Sequence, residues 1–187
     1  IKLNSADFQK GGFSPEDSIQ VMKTLQEDGI NLIEISGGNY EKPTMMGGKI
    51  KSSTEKREAY FLEYAEKAKQ LLTIPLVVTG GFRSASAMEE ALKSGATDMI
   101  GIARPLAVDP NVSNKLLANE SHKVYLKTLT TGVKTLDFMA MLNITWYEHQ
   151  LSRIGNKKAP KPNMSAWLSV IKTISSIGLI AFKKRRA

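Results

Sequence analysis

The stretch from Ile74 to Pro110, IPLVVTGGFRSASAMEEALKSGATDMIGIARPLAVDP, constrains the fold more than any other part of the chain. Its apolar run Leu76 to Val78 is β-rich and stops at Gly80-Gly81, which predicts a short buried strand and a sharp turn. Ser84 or Ser86 then caps a helix whose apolar side includes Ala87, Met88, Ala91 and Leu92, and Gly95 closes it. Met99 to Ile102 reads as a second short strand, followed by a turn carrying Arg104. Two parallel strands joined by a helix place both following turns at one end of the sheet, facing one ligand. Two glycines let the backbone approach an anion, the next helix points N–H groups at it, and Arg104 supplies a charged fork. The plainer reading is that the glycines only make a tight turn and Arg104 is a solvated surface charge.

The rest of the chain repeats this rhythm. Ile1 to Asn4 reads as a strand, so the sequence opens as if in mid-fold, with no signal peptide ahead of it. Ser14-Pro15-Glu16-Asp17 is a helix start, with Ser14 as cap and Asp17 three residues later. Ile19, Met22, Leu25 and Gln26 follow helical spacing until Gly29. Asn31 to Ser36 predicts a second strand ending at Gly37-Gly38. Asn39 to Thr54 has no clear periodicity and reads as a long loop over the site. Ser52 to Glu55 is another capping box, opening a helix through Leu72 lined on one side by Tyr60, Phe61, Tyr64, Ala68 and Leu71. Four β-α units therefore end near Ala118, the pattern of a parallel sheet covered by helices. Four strands cannot close an eight-strand barrel and leave two edges to be covered.

Composition narrows the chemistry. The 187 residues are 42% hydrophobic and 24% charged, an ordinary globular balance. With no cysteine, disulfides, thiolate metal sites and a cysteine nucleophile are all excluded, which fits a cytoplasmic location. His122 and His149 are too far apart, and too poorly supported by carboxylates, to suggest a metal site, and read as surface or satisfied core histidines. The net charge is +8, yet residues 1–118 carry 14 Lys and Arg against 15 Asp and Glu, whereas residues 119–187 carry 12 against 3. The basic character thus lies in the second part, and no nucleic-acid motif accompanies it.

Residues 119–187 form a basic helical extension to the domain of residues 1–118. Leu126, Leu129, Leu136, Met139, Met141, Leu142 and Trp146 suit one or two helices packed on the barrel side. Gly155 to Asn163 is a turn and basic linker. Asn163 or Ser165 then caps a helix, AWLSVIKTISSIGLIAF, that runs into KKRRA and is short for a membrane span. It either packs on its own domain or a partner, or makes peripheral contact with an anionic membrane through Trp167 and Phe182.

The runs INLIEISGG, VVTGGFRS and GATDMIGIARPLAVDP together resemble the C-terminal half of the Old Yellow Enzyme family, the NADH:flavin oxidoreductases, from Ile1 to about Asn119. WYEHQLSRIG is similar to the tail of some bacterial members. The resemblance implies an α/β fold, the C-terminal half of a TIM (β/α)8 barrel. Strands five to eight would be Ile1 to Asn4, Leu32 to Ser36, Leu76 to Thr79 and Met99 to Ile102. It implies FMN as cofactor and NAD(P)H as reductant, with hydride passing through the flavin to an activated alkene or similar acceptor. Gly80, Gly81 and Phe82 would offer backbone to the phosphate and Arg104 would pair with it, while Ala103 stands where many members have glycine. Lys2 would lie beside the flavin pyrimidine ring, where a cation stabilises the charge of the reduced ring. Glu34 reads as an ion partner of Lys2 before a catalytic base.

The family's substrate-binding histidine pair or His/Asn pair, its tyrosine proton donor and its strand-one flavin contacts belong to the N-terminal half. No catalytic residue is therefore assigned, and little or no turnover is expected from these residues alone. The partner implied is the missing half-barrel, or a second copy pairing through open strand edges. Another phosphate-binding barrel, such as an FMN-dependent hydroxy-acid oxidase or a nucleotide-processing enzyme, and a non-catalytic half-barrel assembly piece are the competing readings.

Overall fold

The computed structural model describes residues 1–7, 10–37, 58–119 and 121–178. The loop expected over 39–54, the capping box at Ser52 to Glu55 and the chain beyond Gly178, with Phe182 and the basic terminus, lie outside the described residues.

Contacts divide the chain into two units: Ile1–Ala103 with Asn114–Val124, and Arg104–Ser113 with Tyr125–Ala187. The first unit holds four strands, β1 (Lys2–Asn4), β2 (Ile33–Ser36), β3 (Leu76–Thr79) and β4 (Met99–Gly101), all parallel and in sequential order β1-β2-β3-β4. Register aligns Leu3, Ile35, Val78 and Ile100 across one face, and Lys2, Glu34, Val77 and Met99 across the other. The first face packs with Met22, Leu62, Ala65, Ala68, Phe82 and Ala91 into one core. On the second face Met99 is 53% exposed, so the sheet is covered far better on one side than on the other.

Helix α1 (Pro15–Glu27) begins as its sequence dictates. The Ser14 hydroxyl accepts from the Asp17 N–H, the Asp17 carboxylate accepts from the Ser14 N–H, and Pro15 occupies the first turn. Near its end, the Gln26 side-chain oxygen accepts from Thr73 and Ile74 N–H and fixes the approach to β3. Helix α2 (Leu62–Lys69) corrects the sequence expectation. Residues 58–61 form a turn ahead of it, and the Tyr60 N–H bonds to the Gly80 carbonyl instead of entering the helix. Leu62, Ala65 and Ala68 therefore form the buried stripe, while Leu71 lies past the helix end and is exposed.

Helix α3 (Ala85–Lys93) takes Ser84 as cap, not Ser86. Its buried residues are Ala85 and Ala91 with Met88 packed alongside, so the stripe is rotated from the expected one and Leu92 faces solvent. Gly95, at φ 72°, follows the cap residue Ser94 in the left-handed conformation that ends a helix. Beyond β4 come α4 (Arg104–Val108) and α5 (Val112–Ala118). Arg104, expected in the turn after β4, opens a short helix.

In the second unit, α6 (Lys134–Met139), α7 (Leu142–Gly155) and α8 (Ala166–Ile177) gather Leu129, Ala140, Leu142, Trp146, Met164, Ala166 and Val170 into a core of their own. The Trp146 indole donates to the Met164 carbonyl at 3.0 Å, and buried Gln150 accepts from the Lys161 N–H at 2.7 Å, tying the 156–165 linker onto α7. Ser165 caps α8, which buries Ala166, Ser169, Val170 and Thr173 and so packs within its own unit. Trp167, Leu168 and Ile171 stay exposed. Among the described residues no helix is long and apolar enough to cross a membrane.

Candidate functional site

Parallel pairing brings the C-terminal ends of β3 and β4 side by side, so the Gly80-Gly81 turn and the Ile102-Ala103 segment leave the same end of the sheet. Gly80 and Gly81 have φ of 118° and 100°, which side chains other than hydrogen rarely tolerate. Gly81 is doubly required, because a Cβ there would run into the carbonyl oxygen of Glu58. A Cβ on Gly101 would strike the Thr79 hydroxyl, which packs the two strand ends tightly together.

Glu58 dominates this turn. It holds a left-handed backbone at φ 54°, which disfavours any residue with a side chain, and its side chain is only 11% exposed. One carboxylate oxygen accepts from the Arg83 N–H at 3.0 Å, the Ser84 N–H at 2.8 Å and the Ser84 hydroxyl at 2.8 Å. The other pairs with the Lys123 ammonium at 2.7 Å. Burial would raise its carboxyl, but the hydrogen bonds from Lys123, Ser84 and Arg83 prevail and hold it below its ordinary value.

Residues 122–124 complete the arrangement. The Ala85 N–H donates to the His122 carbonyl, and the Val124 N–H to the Arg83 carbonyl at 2.8 Å. The start of α3 is therefore not a set of free N–H groups awaiting a ligand: Arg83, Ser84, Ala85 and Ala87 all donate within the protein. Among the described residues, no hydrogen bond uses the N–H of Gly81 or Phe82. The Phe82 ring is core, 2% exposed, so only its backbone is available to a ligand.

The other expected residues fall as follows. Ala103 is exposed and directly precedes Arg104. In the second unit, the Arg104 guanidinium lies 5.5 Å from the centre of the Tyr147 ring, a cation–aromatic contact. On the less covered sheet face, the Lys2 ammonium meets Glu34 at 2.8 Å, as directly paired residues of β1 and β2. Burial raises the Glu34 carboxyl, but hydrogen bonds from Lys2 and Thr79 outweigh it and keep the group ionised. His149 bonds to the Ser169 carbonyl and the Thr173 hydroxyl, a satisfied structural role. Among the described residues no cluster could hold a metal ion.

Sequence reasoning missed Glu58, Lys123 and Tyr147. Glu58 falls inside the helix expected from Ser52 to Leu72, and nothing local marks it. Lys123 reads as one more charge in a basic segment. Tyr147 sits inside a run quoted for its resemblance, with no sign that its ring meets Arg104.

An all-parallel sheet in sequential order, with helices packed on one face, defines an α/β protein. Residues 4–123 match the NADH:flavin oxidoreductase / NADH oxidase family, and the chain belongs to that family of oxidoreductases, which implies a flavin and NADH. It is 42% identical over 106 residues to the NADH-dependent flavin oxidoreductase iccE of Talaromyces variabilis, covering 54% of this chain and 26% of that protein. It is 29% identical over 161 residues to the NADH-dependent flavin oxidoreductase nadA of Aspergillus parasiticus, covering 86% of this chain and 34% of that one. Among solved structures it is similar to a 2-naphthoyl-CoA reductase in complex with 2-naphthoyl-CoA, at a TM-score of 0.54 and 27% identity, over 63% of this chain and 17% of that one. The matched part thus spans about a quarter to a third of the two curated relatives.

Proposed function

We propose that this chain supplies the phosphate side of an FMN site in an NAD(P)H-dependent oxidoreductase, and that its four strands are strands five to eight of a (β/α)8 barrel. The observation that carries the reading is the Gly80 to Phe82 turn, whose Gly81 and Phe82 N–H groups have no acceptor among the described residues. They lie at the C-terminal strand ends, where barrels of this type bind phosphates. The sequential strand order supports the barrel, as does the second sheet face, since all-parallel sheets are ordinarily covered on both sides. Lys2 and Glu34 lie on that less covered face, which a closed barrel would turn inward.

The donor set fits a phosphate. Glu58 is neutralised by Lys123, so the turn offers two backbone donors without an unbalanced anion beside them. Bound FMN supplies hydride transfer between NAD(P)H and an acceptor such as an activated alkene. Lys2, held by Glu34, would be the cation beside the flavin ring. Catalytic groups from further chain, or from a second copy pairing along β1 and β4, would complete the enzyme, and these 187 residues alone would give little or no turnover.

Flavin binding tests the reading. The chain should retain FMN through gel filtration and bind it at least about tenfold more tightly than riboflavin, which lacks the phosphate. Equal affinity for the two flavins, or none for either, overturns it. A peripheral membrane contact is a second reading that the exposed Trp167, Leu168 and Ile171 of α8 favour. Sedimentation that does not distinguish anionic from neutral liposomes sinks that idea.

A further inference from the structure

The start of α3 is the part of this site with the most internal wiring, and the anion that occupies it is the protein's own. Glu58 takes the Arg83 and Ser84 N–H groups and the Ser84 hydroxyl, and its backbone carbonyl fills the space a Cβ on Gly81 would need. It does so from a disfavoured left-handed backbone at φ 54°, a conformation that persists only where the surroundings impose it. Tyr60 adds an N–H bond to the Gly80 carbonyl from the same turn. The segment from Glu58 to Tyr60 therefore grips both ends of the Gly80 to Ser84 loop, while Lys123 cancels the carboxylate charge.

We propose that Glu58 is a positioning residue for the cofactor phosphate: it closes the start of α3 to the anion and sets the loop so that the Gly81 and Phe82 N–H groups become the phosphate donors. The proposal rests on the FMN reading above. A helix N-terminus with free donors would attract phosphate by itself. Here a second anion at that position would meet a carboxylate that has already used the donors. The phosphate is directed one to two residues earlier, onto the backbone that only glycine at 80 and 81 allows.

The test measures FMN and riboflavin affinities for the whole chain, the Glu58→Gln variant and the Lys123→Met variant, with amide hydrogen exchange at Arg83 and Ser84. Glu58→Gln keeps the side-chain shape but replaces one accepting oxygen by a donor. It should weaken FMN binding about tenfold, leave riboflavin within about twofold, and speed exchange at both amides. Lys123→Met keeps the carboxylate but leaves it uncompensated, so FMN should again weaken while riboflavin does not, an effect that added salt reduces. The second variant decides the matter if the first fails to fold. Equal losses for both flavins, or an unchanged preference for FMN, overturn the positioning role while leaving the FMN reading in place. A parent chain with no preference for FMN over riboflavin overturns that reading, and the proposal with it.

Discussion

Glu58 shows how one residue couples charge, backbone strain and stability. Its folded carboxyl is held below the ordinary 4.5, because the bonds from Lys123, Ser84 and Arg83 outweigh its burial. A depressed folded value means that its contribution is full above about pH 4.5 and is lost as pH falls through that lower value. Urea-unfolding midpoints followed from about pH 5 to pH 3 should therefore fall more steeply for the parent chain than for Glu58→Gln. Glu34, Asp98 and Asp137 are depressed too, so the difference between the two curves carries the signal and not the acid limb itself. Parallel curves would mean that the Glu58 bonds contribute nothing to folding.

Among the elements, α7 and α8 are held by a polar anchor inside an apolar core. Gln150 is fully buried, and its side-chain oxygen is the acceptor for the Lys161 N–H where the linker turns back towards α8. Gln150→Leu keeps the volume but leaves that N–H without its partner, at a cost of about 1–3 kcal/mol. The emission of Trp146, packed in the same core and bonded to Met164, should report an earlier unfolding transition. An unchanged transition would mean that water replaces the side chain without loss. Of the helix caps, Ser14 was legible alone, whereas the sequence left Ser84 against Ser86 and Ser165 against Asn163 open. Ser14, Ser84 and Ser165 sit where a serine just ahead of an apolar helical stripe belongs, and each accepts a backbone N–H. The turn of the stripe was harder to read: Leu92 and Leu71 fit a helical period but are exposed, because Ala85 and Ala91 form the buried side of α3 and α2 ends before Leu71.

For the whole molecule, the boundary that the charge balance suggests, after Ala118, separates residues that belong together. The first unit takes back residues 114–124, and His122, Lys123 and Val124 all bond to the glycine-turn region. A chain truncated after Ala118 should show faster amide exchange at Arg83, Ser84 and Ala85 than one truncated after Tyr125, and should bind FMN more weakly. Equal exchange in the two would mean that the 119–124 segment is incidental to the turn. By itself the sequence determined the strand and helix order of the first unit, the glycine turn, the cap at Ser14 and the family, since each is written in neighbouring residues through propensity, spacing or a quoted run. Only the tertiary structure decided that Glu58 and Lys123 serve the turn, that Tyr147 meets Arg104, and that the start of α3 is already filled. Those contacts join residues distant along the chain, and no local pattern encodes which distant partner satisfies a buried carboxylate.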